Sequence, residues 1–145
     1  MLISKKKREE FDNIFILVDT NNVVLNIDLY RKLFNSDFYE HFIEHIKNKI
    51  ETITINNNIF NLHIDISTFN LSDMYNYEKI LKFAQLLHEF TDTLFKIYIY
   101  GSSCIFTNLL YMINQSLNFD VTKKLIFENI QNFNSKFNNI YIYNQ

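Results

Sequence analysis

The chain has 145 residues, a formal charge of −2, 48% apolar residues, and no Pro or Trp. A chain this apolar and this weakly charged is not a disordered one, and its charge gives no global pull toward nucleic acid or a membrane surface. No apolar run approaches the ~20 residues that span a bilayer, so no transmembrane segment is expected. One α/β domain over 1–145 is expected, with 1–10 as a basic and acidic N-terminal arm read as solvated. The single cysteine, Cys104, excludes an internal disulfide and fits a reducing, cytoplasmic setting. Asn and Ile occur 21 times each, alongside a single Gly. Ile, Asn, Lys, Tyr and Phe share A/T-rich codons, which points to an A/T-rich genome, viral or parasitic; for a virus the location becomes host cytoplasm or virion.

The run Ile14-Phe15-Ile16-Leu17-Val18 predicts a buried strand, and Asp19-Thr20-Asn21-Asn22 supplies turn chemistry. Val23-Val24-Leu25-Asn26-Ile27 then returns as the second strand of a hairpin. Phe38, Phe42, Ile46 and Ile50 recur at helical spacing, with Ser36 or Asp37 as the cap. Thr52-Ile53-Thr54-Ile55 reads as a short strand, and the asparagines at 56–58 as a turn. Phe60, Leu62, Ile64 and Ile66 alternate strictly and share one face of a strand.

The stretch 72–93 predicts the longest helix, capped by Ser72 or Asp73, and 95–100 predicts a strand. That strand stops at the lone Gly101, and Ser102 and Ser103 open a helix to about Leu117. The break at 118–120 follows, with Asp120 as a cap. Leu125-Ile126-Phe127 is compatible with a strand, but Ile126, Ile130, Phe133 and Phe137 form a helical stripe, so most of 121–137 is read as helix. Asn138-Asn139 reads as a turn and Ile140-Tyr141-Ile142-Tyr143 as a closing strand. The pattern gives a single mixed sheet of about five to six strands with helices packed on it, without internal repeats or linkers.

No catalytic constellation stands out. His41-Phe42-Ile43-Glu44-His45 matches H-x-x-E-H, yet both histidines lie off the apolar stripe and no third ligand is identifiable, so a solvated helix face is expected. Asp65 and Asp28 end strands and read as turn or helix caps. One glycine is too few for a phosphate-cradling loop, and Cys104 reads as a small buried residue. Lys5-Lys6-Lys7-Arg8 is followed at once by Glu9 and Glu10, which weakens its field. Neither a cofactor nor an enzymatic activity is expected.

With these residues in view, the stretch 62–127 resembles a CRAL-TRIO lipid-binding domain. The resemblance rests on Leu62-His63-Ile64-Asp65-Ile66-Ser67, a long helix over 77–90, the strand 96–100, the turn Gly101-Ser102-Ser103-Cys104-Ile105-Phe106, and Val121-Thr122-Lys123-Lys124-Leu125-Ile126-Phe127. It implies an apolar ligand such as a lipid, held between the sheet and a movable helix over 106–117. Ser102, Phe106, Leu109, Leu110, Ile113 and Leu117 would then be ligand-binding. STAS domains are similar in their strand ending in Asp-x-Ser, here Asp65-Ile66-Ser67, and imply instead a non-enzymatic interaction or assembly module with a protein partner or a homo-oligomeric state.

Overall fold

A computed structural model describes residues 3–56, 58–101, 103–117 and 121–143, with side chains described except at 121, 122 and 138–143. The expected breaks at Asn57 and 118–120, and Ser102, lie outside the described residues. The fold is α/β, with six α-helices and one five-stranded mixed sheet among the described residues.

The N-terminal segment is helical, not a free arm. Ser4 accepts a hydrogen bond from the Lys7 backbone N–H at 3.1 Å and opens α1 (Lys5–Asp12). Phe11 anchors it, 1% exposed, with its ring 5.5 Å from that of Phe42. The hairpin forms as expected: β1 (Phe15–Leu17) pairs antiparallel with β2 (Asn22–Leu25). Asp19 fixes its turn by accepting from the Asn21 backbone N–H at 2.8 Å.

The sequence reading missed α2 (Ile27–Lys32), which cuts short the second strand of the hairpin. Asn26 caps it by accepting from the Leu29 N–H, Asp28 lies in its first turn, and Arg31 and Lys32 lie in its last. That arrangement complements the helix dipole.

Helix α3 (Tyr39–Ile55) absorbs the strand expected at 52–55. Ile53 extends the buried stripe of Phe42, Ile46 and Ile50, and Thr52 and Thr54 donate back to the carbonyls of Asn48 and Ile50. Burial thus overrides local β-propensity. The cap position is Phe38; Ser36 instead accepts from its N–H at 3.1 Å.

β3 (Phe60–Asp65) and β4 (Leu94–Tyr100) flank a 3-10 turn (Leu71–Asn76) and α4 (Tyr77–Glu89). The cap sits two residues before Ser72: Asn70 and Asp73 form a reciprocal capping box. α5 (Cys104–Leu117) follows, with Cys104 exposed rather than buried. Leu125–Glu128 is strand β5, and α6 (Ile130–Tyr143) begins only after it. The helical reading of 121–137, the turn at 138–139 and the closing strand at 140–143 are thereby corrected. Ile126 of the apparent helical stripe is drawn into the sheet opposite Tyr98, while Ile130, Phe133 and Phe137 stay on α6.

The strand order is β1-β2-β3-β4-β5, and every pair after the hairpin is parallel. Parallel crossovers are right-handed, so three successive steps in one direction put all their helices on one face. The main core accordingly joins α2, α3, α4 and α5 to Val23, Leu25, Phe60, Leu62 and Ile99. A second, smaller cluster lies on the opposite face, where Phe133 and Phe137 of α6 pack on Val24 and Tyr100.

A cavity between the sheet and the helix layer

The main face is not fully packed. A cavity of about 330 Å³ lies between the sheet and helices α2, α4 and α5. This volume falls at the low end of the ~300–1,000 Å³ of small-molecule pockets. Its floor crosses four strands, from Leu25 through Ile64 and Ile97 to Leu125. Its roof is Phe83 and Ala84 of α4 with Phe106, Leu109, Leu110 and Ile113 of α5. Ile64 and Ile97 sit on interior strands, yet both are only half-buried. Side chains at such positions are ordinarily packed to near-crystalline density, so their remaining surface faces the cavity.

The structure therefore brings Phe106, Leu109, Leu110 and Ile113 to one wall. Leu117, at the end of α5, packs against the main core and does not line the cavity. Ser102 lies outside the described residues. Sequence reading missed the wall opposite, Tyr30 and Phe34. Their i, i+4 spacing behind the capping Asn26 was the available signal, hidden by the apolar run that precedes it.

Two polar groups sit where β2 and β3 end. Arg31 Nε lies 3.1 Å from Asp73 Oδ1, Nη2 donates to Thr68 Oγ1 at 2.9 Å, and Nη1 lies 3.4 Å from Asp28 Oδ1. The Arg31 Nε–Asp73 contact has the distance of an ion pair but not the angle of a hydrogen bond. Asp73 is 5% exposed, and its other oxygen accepts from the Asn70 N–H at 2.9 Å. At the other end of the cavity are His88, Thr91, Lys123 and Lys124. All but Lys124 are exposed, which marks this end as the mouth. Lys124 donates to the Leu94 carbonyl at 2.7 Å.

The opposite face of the sheet carries a polar chain. His63, 4% exposed, has Nε2 2.8 Å from Asn22 Oδ1 and Nδ1 2.8 Å from the Tyr100 hydroxyl. The Asn22 oxygen only accepts, so a neutral His63 donates from Nε2 and accepts the Tyr100 O–H at Nδ1. Asn22 in turn donates to Asp19 at 3.2 Å, and Lys136 stands 3.5 Å from the Tyr100 oxygen. Every donor thus points from the lysine toward the aspartate. Burial, with the Lys136 charge adding to it, pushes His63 down to about 4. Burial also raises Tyr100, to about 12, with Glu128 and Tyr98 adding to it. These groups are occupied with one another and with Tyr98, whose ring stacks on His63 at 4.9 Å.

The two histidines of H-x-x-E-H part company. His45 Nε2 is 2.8 Å from Asp12 Oδ1, and Lys49 pairs with the same oxygen, which ties α3 to α1. His45 is therefore half-buried, not solvated, while His41 lies beside the Phe38 ring. Among the described residues no group of three or more His, Cys, Asp or Glu is placed to hold a metal. Asp65 closes its turn by accepting from the Ser67 N–H at 2.9 Å. No helix among the described residues is long and apolar enough to cross a membrane. Comparison of the chain with protein-family models, curated proteins and solved structures gave no match.

Proposed function

We propose that this domain binds an apolar ligand such as a lipid, without catalysis, between its sheet and α5, as the CRAL-TRIO resemblance implies. The observation that carries the reading is the apolar cavity of about 330 Å³ under α5. Apolar burial supplies the affinity. At ~0.8 kcal/mol per methylene, a chain of about ten carbons contributes roughly 8 kcal/mol gross. Loss of translational and rotational freedom removes at least ~4 kcal/mol of that. The remainder corresponds to a Kd of about 1 mM, so a bare chain of this length binds weakly. Longer chains that protrude, or a head group that finds a partner, bind more tightly.

Native mass spectrometry of the purified protein tests the reading, together with uptake of labelled lipid from liposomes. A co-purified apolar molecule, or saturable uptake, is the expected result. A bare chain mass with no uptake and no thermal stabilisation by alkyl ligands refutes it.

A second reading, a protein-interaction or assembly module of STAS-like kind, draws on the exposed apolar side chains. Leu71 and Tyr75 of the 3-10 turn are 68% and 90% exposed, and Tyr111 of α5 is 63% exposed. Tyr77, next in the chain, donates to the Met112 carbonyl at 3.0 Å and so sets the two elements side by side. Light scattering across a concentration series separates the readings: a strict monomer carrying an apolar ligand speaks against assembly.

A further inference from the structure

We infer that the ligand is a single-chain amphiphile with an anionic head group, its tail in the cavity and its carboxylate or phosphate at Lys123 and Lys124. This rests on the apolar-ligand reading above and specifies the ligand's chemistry. The two ends of the cavity differ in charge. At the closed end Arg31 is matched by Asp73 and Asp28, and Asp73 is further held by the Asn70 N–H. That end is locally compensated and offers an anion nothing.

The mouth is not compensated. Lys123 and Lys124 line it, and among the described residues no carboxylate lies within 4 Å of either nitrogen. Glu89 and Asp92 flank the same end of α4, outside that range. Lys124 keeps its hydrogen bond to the Leu94 carbonyl, which offsets none of its charge. A lysine has three donors, so Lys124 retains two for a ligand oxygen.

The shape fits one chain. The floor runs from Leu125 to Leu25 across three interstrand steps of about 4.8 Å each, or about 14 Å. The volume is about eleven times the ~30 Å³ that one water occupies in the liquid. A methylene is slightly smaller than a water's share, so the cavity takes a chain of about ten carbons and not two such chains.

Calorimetric titration of the full chain with four ten-carbon probes below their micellar concentrations tests this: decanoate, decyl phosphate, decanol and decyltrimethylammonium. Decanoate and decyl phosphate are expected to bind at least tenfold more tightly than decanol, and the cation more weakly than decanol. K123E is expected to remove that preference, the two anions binding no more tightly than decanol to the same variant. Because Lys123 is exposed, this variant leaves the fold intact; Lys124→Gln, which also releases the Leu94 carbonyl, serves as the second variant. A preference for only one of the two anions assigns the head group to that class. Decanol binding as tightly as the anions, or an anion preference that survives in both variants, overturns the head-group inference and leaves the cavity reading standing. Failure of all four probes removes the cavity reading itself.

Discussion

Filling the cavity is the sharpest test of what it contributes to stability and binding. Ala84 lies on the roof, half-buried on α4, and its methyl faces the void. Ala84→Leu adds three carbon groups there. Ala and Leu have nearly equal helix propensity, so the helix itself is unaffected. At about 30 Å³ for a group of this size, the added bulk is roughly 90 Å³. That is well below the 330 Å³ available.

Burying three methylene equivalents contributes up to ~2.4 kcal/mol, at ~0.8 kcal/mol each. Ordering the leucine side chain costs about 0.5–1 kcal/mol. The net gain is about 1.5 kcal/mol for the ligand-free protein, which raises Tm by about 5 °C at this chain length. The same atoms exclude three methylenes of ligand, which weakens binding by about fiftyfold. Differential scanning calorimetry on delipidated protein and titration with decanoate read the two effects. A fall in Tm of the size that overpacking brings, with binding unchanged, refutes the reasoning, because it means the space is already filled by side chains.

The aromatic cluster beside the cavity should behave in the opposite way: Phe42, 0% exposed and ringed by Phe11, Tyr30 and Tyr39, has no slack, and Phe42→Ala is expected to cost about 3–5 kcal/mol in urea unfolding. Gly101→Ala is expected to cost about 1–2 kcal/mol by the same assay, from strain alone. Its φ is +92°, while the added Cβ would meet the Ser67 nitrogen at an ordinary 3.5 Å. For pH, His63 sits at about 4 when folded, against ~6.5 unfolded, so its contribution is intact above pH 6.5 and is lost as pH falls toward 4. The loss is at most about 3 kcal/mol, and it appears as a difference between wild type and His63→Gln that shrinks across that window; a constant difference contradicts the assignment.

The parts of the fold that could be read from sequence are those where local and tertiary preferences agree. The alternation of Phe60, Leu62 and Ile64 is a strand because one face of it meets the helix layer. The stripe of α5 placed Phe106, Leu109, Leu110 and Ile113 on one side, and that side meets the cavity. The failures occur where the two preferences diverge. Thr52 and Ile53 favour strand locally, but Ile53 completes a helical face that the core needs. Ile126 shares a helical spacing with Ile130, Phe133 and Phe137, but the edge of β4 offers Leu125 to Glu128 a parallel ladder. The charged ends of the cavity were hidden for a different reason. Arg31, Asp73, Lys123 and Lys124 are far apart in the chain and converge only through the winding of the sheet.

That winding also explains why the cavity lies under the helices and not at the strand tips. Open α/β sheets usually bind ligands in a crevice outside the carboxyl ends of their strands, where the strand order reverses. Here the order runs one way from β2 to β5, so the parallel strands contain no reversal and open no such crevice. At the carboxyl end of β4 the Gly101 N–H instead donates to the Glu128 carbonyl at 3.1 Å. One-sided winding crowds α2, α3, α4 and α5 onto a single face, and the cavity lies where α2, α4 and α5 cover the sheet. The cavity is therefore a consequence of topology, and the charge at its two ends is set by Arg31 of α2 and Asp73 of the 3-10 turn on one side and by Lys123 and Lys124, just before β5, on the other.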